Sequence, residues 1–298
     1  MQPSKTALVP SCEPLLATRH TSNAVRRDAR PGLVLMAILV VSVLPALAAP
    51  PERPPETVLK LVAQIQKADY EGNRVTLQHL YADLEPFTAD EKLASHVRYW
   101  RGFALWRRAI NDFNESADPK DLEHDLNQAI AEFKESSAKD PAFVDAKVGT
   151  ISCLGSLIYL ALGHADRVQE LIAQSSPLVK ELRASAPDNP RFLWVLGPIL
   201  WNTPAERGGG QDKAIEGYQK GLEAARKLKA SATDPLDPSW GEPELLMSLA
   251  WSNLNRTPPD PNAADQYAHS ALALVPYWHY VRDILVPQIQ KAKAAAKP

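Results

Sequence analysis

The sequence predicts an all-α fold of stacked helix pairs, and three observations carry that expectation. First, four stretches approach one spacing: a small residue, a bulky apolar one four on, a small one seven on and a proline twelve on. They are Ala129-Phe133-Ser136-Pro141, Leu178-Leu182-Ser185-Pro190, Ala214-Tyr218-Gly221 without its proline, and Ala264-Ala268-Ala271-Pro276. Positions four and seven apart share a helix face, so the small residues admit a neighbouring helix and the bulky one fills the gap. Second, the proline ends the helix in the three windows that have it, because it lacks an N–H and its ring clashes with the preceding turn. Third, prolines and glycines divide the rest of the chain into helix-length pieces with apolar residues at helical period, and no convincing strand hairpin is found.

Residues 1–48 read as a secretory signal peptide. Arg26, Arg27 and Arg30 precede an apolar run from Leu33 to Leu44, which ends in Pro45 and Ala46-Leu47-Ala48. The run is shorter than the about 20 residues that a membrane span needs. A retained N-terminal anchor is the alternative, and membrane contact is expected only in that case. Cleavage after Ala48 removes five basic and two acidic residues, which moves the net charge from −2 to −5. A mildly acidic mature chain without a basic run is a poor nucleic-acid binder. Cys12 leaves with the signal, and Cys153 stands alone in an apolar stretch, which predicts a buried, inert thiol and no internal disulfide.

Residues 49–55 form a proline-rich, extended leader, and residues 56–298 the helical-repeat domain. Its first helix carries Val58, Leu61, Val62 and Ile65 on one face, and Gly72-Asn73 breaks it. A second covers Val75 to Leu84, ended by Pro86. From Ala89 a long helix places Leu93, Val97, Trp100 and Ala104 together, and Asp118-Pro119 starts another with Asp118 as its N-cap. Pro141, Gly163, residues 187–190, Gly208-Gly209-Gly210 and the proline-bearing stretches 235–243 and 258–261 separate the helices that follow. The final helix presents Val281, Ile284, Leu285 and Ile289 on one face and reads as a C-terminal capping helix. Lys291, Lys293 and Lys297 suit the negative end of its dipole.

The shared spacing resembles the second half of a tetratricopeptide repeat. Intervals of 49, 36 and 50 residues separate the windows, longer in two of three cases than the family period of about 34; lengthened helices or inserted loops accommodate the difference. The resemblance implies a right-handed α-solenoid of antiparallel helix pairs that binds something along its surface. The segment from Trp201 to Ala214, with three glycines followed by Lys213-Ala214, resembles the glycine-rich connection of envelope tetratricopeptide proteins. These include the T-component of tripartite ATP-independent periplasmic transporters, and that likeness implies a small-molecule binding or delivery component.

Placing Gly102, Leu200 and Ala250 at the repeat's eighth position puts Phe103, Trp201 and Trp251 at the groove-facing ninth. The same phase turns His96, Tyr99, Trp106, Trp194, Glu244 and Met247 to the concave side. The candidate binding groove is therefore Tyr99, Phe103, Trp106, Trp194, Trp201 and Trp251, because tryptophan offers broad apolar contact and a polar N–H. Core packing is the alternative for each tryptophan. Arg101 and Arg108, nearly two turns apart in the densest basic cluster, are the candidate contacts for a carboxylate or phosphate. Their alternative is pairing with acids such as Asp112 and Glu115. The glycines at 208–210 either offer N–H groups to an anion or make a tight turn.

The histidines of the mature chain occur singly, with no pair at metal-ligand spacing, and neither a nucleophile elbow nor a dinucleotide fingerprint is found. The expectation is a non-catalytic protein without metal or cofactor, periplasmic or secreted, that acts as a scaffold or adaptor for a protein or peptide partner in the cell envelope. Binding of an amphipathic small molecule is the second reading, and an accessory domain of an envelope enzyme or a hydrolase of unfamiliar type the third. A closed pocket holding Trp194, Trp201 and Trp251 would favour the small molecule, and an open aromatic groove the protein partner.

Overall fold

A computed structural model of the protein describes residues 55–113, 117–229 and 234–295. The expected signal peptide, most of the leader, Glu115 and Lys297 lie outside the described residues. Among the described residues the chain is all-α, with eleven α-helices and no strand. The helices are α1 (Glu56–Tyr70), α2 (Arg74–Asp83), α3 (Ala94–Asp112), α4 (Pro119–Lys139), α5 (Val144–Leu160) and α6 (Ala165–Ser185). After these come α7 (Pro190–Asn202), α8 (Gln211–Lys229), α9 (Glu242–Asn255), α10 (Pro261–Leu274) and α11 (Val286–Ala295).

Local chemistry explains where these helices start. The side chains of Asn73, Asp118, Asn189 and Asp260 accept hydrogen bonds from the first-turn N–H groups of α2, α4, α7 and α10. Those N–H groups have no partner within their own helix. Pro119, Pro190 and Pro261 take first helical positions, where a missing N–H costs little. The helix expected from Ala89 begins at Ala94 instead. Asp90 spends its carboxylate on the Lys92 N–H and its carbonyl on Leu93 and Ala94, which makes a separate turn first. The expected last helix is also divided, with Tyr280–Leu285 winding as a wider π-turn ahead of α11. Val281, Leu285 and Ile289 are nevertheless fully buried, and Lys293 ties α11 to Asp265 of α10 at 2.7 Å.

The four spaced windows fall on α4, α6, α8 and α10. On α4, Ala129, Phe133 and Ser136 are buried, and the Phe133 ring lies between two glycines, Gly102 of α3 and Gly149 of α5. A Cβ on Gly149 would stand 2.5 Å from that ring, so the absent side chain is what lets the helices close. On α8, Tyr218 packs onto Gly197 of α7 and Gly221 admits Leu245 of α9. On α10, Ala264, Ala268 and Ala271 are all buried. The α6 window is the weakest: only Leu182 of its three helical residues is buried, and α6 packs mainly on α5.

Consecutive helices pack from α1 to α6 and from α7 to α11, and the odd-numbered helices α1, α3, α5, α7 and α9 also touch in succession. The odd helices thus make a continuous row, whose inner side is the one that residues 234–241 cover. At the two extremes of the described chain, Tyr70 at the end of α1 meets Trp278 edge-on, with ring centres 5.0 Å apart. Gly72, at φ +69°, faces His279 where an L side chain would be both strained and crowded.

Candidate functional site

Helical spacing brings His96, Tyr99, Phe103 and Trp106 to the inner side of α3, and Trp194 joins them from α7. Against them lies residues 234–241, the connection between α8 and α9. Its Leu236 and Trp240 are only 1% and 4% exposed. The Trp240 ring centre lies 5.6 Å from those of both Trp106 and Trp194 and 5.8 Å from that of Phe103. Its indole N–H donates to the Tyr99 hydroxyl at 2.7 Å, and the Trp100 N–H donates to the Leu236 carbonyl at 2.8 Å.

A buried connection must satisfy its own backbone, and Arg191 does this here. Its guanidinium grips Asp145 through two bonds of 2.7 and 2.8 Å and donates to the carbonyls of Pro238 and Trp240 at 3.0 and 3.1 Å. Glu244 accepts the Gly241 N–H and the Tyr70 hydroxyl, each at 2.8 Å, while Gln66 and Ser239 exchange two bonds on the outer side. Of the six residues that the repeat phase turns inward, His96, Tyr99, Trp106, Trp194 and Glu244 touch this segment, whereas Met247 is partly buried against the cluster built by α8, α9 and α10.

The six aromatic candidates divide into two sets. Tyr99, Phe103 and Trp106 are at most 1% exposed, so for them the core-packing alternative holds and the chain's own Trp240 occupies the space beside them. Trp194 is half-buried in the same cluster and donates its N–H to Ser248. Trp201 and Trp251 form a separate edge-on pair with ring centres 5.2 Å apart, and Trp251 is 37% exposed. Two turns of α7 separate Trp194 from Trp201.

Arg101 and Arg108 do hold carboxylates, but these come from the chain itself. Arg101 bonds Glu132 at 2.9 Å, Glu85 at 2.6 Å and the Tyr81 carbonyl at 2.7 Å, while Arg108 bonds Asp125 at 2.6 Å. Asp112 pairs with Arg74. The glycine loop takes its structural alternative. The N–H groups of Gly208, Gly209 and Gly210 donate to the carbonyls of Ala205, Pro204 and Leu200, and positive φ at Gly208 and Gly210 shapes the turn.

Behind the inner face, Arg107 donates to Asp69 at 2.8 Å and Asn111 donates to the same residue. Burial pushes the Asp69 and Glu244 carboxyls above their ordinary range, against the opposing pull of Arg107. Burial likewise keeps the Tyr70 and Tyr99 phenols protonated and raises the Cys153 thiol, which fits the inert cysteine expected. Where segment 234–241 begins, His96, Asp234 and Asp237 bring one imidazole and two carboxylates together, with ligand atoms within 4.8 Å of one another.

Sequence reasoning missed Trp240 and Leu236. The available signal was two large apolar residues inside a proline-bearing connection that had no evident need of them. A cleft of about 260 Å³ among α4, α5 and α6, lined by Ile130, Leu154, Leu157, Leu171, Lys134 and Arg167, falls below the roughly 300–1,000 Å³ of sites for drug-sized ligands. No described helix is long and apolar enough to cross a membrane. No family model, no curated protein and no solved structure matches this chain.

Proposed function

We propose that this protein is a non-catalytic scaffold or adaptor of the cell envelope, periplasmic or secreted, that holds a protein or peptide partner through the Trp201–Trp251 surface. The observation that carries this reading is the division of the aromatic residues. Those on the inner face are spent on the chain's own segment 234–241, whereas Trp251 stands 37% exposed against Trp201. Tryptophan supplies broad apolar contact at low conformational cost and is enriched where binding energy concentrates.

The architecture we infer is a right-handed α-solenoid of antiparallel pairs with α11 as its cap. The succession of odd-numbered helices along one side and the even-numbered positions of the four spaced windows support it. The non-catalytic part of the reading rests on how the inner-face ionisable groups are used: Arg191 and Asp145 saturate each other, and Glu244 and Asp69 share the field of Arg107. The small-molecule reading is less well supported, because Trp194 packs with Trp240 while Trp201 packs with Trp251, so the three do not line one pocket.

The test is a crosslinked pull-down from the native host's envelope with wild-type bait and a W201A/W251A bait of unchanged helicity. The proposal expects a reproducible protein captured by the first and lost with the second. Capture of the same protein by both baits would remove the tryptophan pair from the account.

A further inference from the structure

We propose that His96, Asp234 and Asp237 form a binding site for a first-row divalent cation such as Zn²⁺, which fastens segment 234–241 to α3. His96 is 141 residues from Asp237 in sequence, with Asp234 one turn earlier, and the fold places the ligand atoms of all three within 4.8 Å of one another. In a tetrahedral site with bonds of about 2.0–2.2 Å, two ligand atoms lie about 3.3 Å apart. His96 Nε2 and Asp237 Oδ1, at 3.0 Å, already stand close to that separation. Asp234 completes the set with a side-chain rotation, and the open side leaves room for water as the fourth ligand.

The mixture of donors selects the ion. One imidazole nitrogen with two carboxylate oxygens suits Zn²⁺ and its first-row neighbours, whereas Ca²⁺ and Mg²⁺ prefer oxygen throughout. A simple His–Asp pair would account for Asp237 alone. The Leu236 N–H occupies one oxygen of Asp234, yet the two carboxylates still stand side by side, where like charges repel and a dication offsets both.

Local structure holds the His96 ring and the turn that carries both acids in place. The His96 ring packs against Phe143, with centres 4.8 Å apart. Asp234 turns the segment by accepting the Leu236 N–H at 2.8 Å, and its carbonyl takes the Asp237 N–H at 3.1 Å. Leu236 between the two acids is anchored by Trp100. The site therefore sits at the entry of the segment that fills the inner face, so ion binding and segment docking favour each other. No pair of histidines at ligand spacing announces such a site in the sequence, because its ligands are gathered by tertiary structure.

The experiment is Zn²⁺ titration of the full chain, stripped with EDTA, by isothermal calorimetry and native mass spectrometry, with Co²⁺ absorption reporting the donor set. We expect one Zn²⁺ per chain, a raised Tm in its presence, and binding weakened by about tenfold or more in both His96→Asn and Asp234→Asn. Asparagine at 234 keeps the oxygen that accepts the Leu236 N–H, so this variant decides the matter even if the change at His96 disturbs folding. Absence of one-to-one uptake, or Zn²⁺ held equally well by Asp234→Asn, would overturn the proposal and leave an adventitious ion only.

Discussion

Tyr70 binds two distant parts of the chain, its ring to Trp278 and its hydroxyl to Glu244. In Y70F the ring contacts survive, but a buried carboxylate oxygen loses its donor, so we expect a loss of about 1–3 kcal/mol in urea unfolding. Glu244 also sets a pH dependence. Burial raises its folded pKa above the ordinary 4.5, so the protonated form is the one the fold prefers. The stability this contributes is fully present below the ordinary value and is lost as pH rises through the folded value. In E244Q that loss is absent, so the Tm difference between E244Q and wild type should move in favour of E244Q between pH 4 and pH 8. A difference that stays flat across that range would place the titration elsewhere. Trp240 contributes on a larger scale: W240A should cost about 3–5 kcal/mol, since the ring is deeply buried and its loss leaves a cavity beside Trp106 and Trp194.

At the level of elements, helix pairs close where glycine faces an aromatic ring. Phe133 between Gly102 and Gly149 is the clearest case. G149A puts a methyl group where no space exists and should cost about 1–3 kcal/mol, and F133L in the same chain should recover part of it. Additive losses in the double-mutant cycle would mean that the two positions do not press on each other. Much of this level was legible in the sequence. The small-bulky-small spacing marked α4, α8 and α10, and Asp118-Pro119 marked the start of α4, because caps and close crossings depend on a few neighbouring residues. The extra turn before Ala94 and the π-turn at Tyr280–Leu285 were not legible, since each is a local alternative of similar energy that surrounding packing selects. The role of segment 234–241 was hidden for a different reason. A connection rich in proline reads as a divider, and only contacts with residues about 140 positions away give Leu236 and Trp240 their place.

For the whole molecule, the inner row of helices is occupied by its own chain and the two extremes of the described chain meet at Tyr70 and Trp278. The repeat phase gathered the inward residues, but it carried no information about what would fill the space among them. Among the six aromatic candidates, Trp201 and Trp251 are thereby set apart as the pair outside that packing, and Trp251 is the more exposed of the two. The most direct measurement of this account is site-specific photocrosslinking in the native envelope, with a benzophenone side chain at position 251 and a second at position 162, where Leu162 is 51% exposed. The account predicts a discrete protein adduct from position 251 that is absent from position 162. No adduct at 251, or the same adducts from both positions, would contradict it.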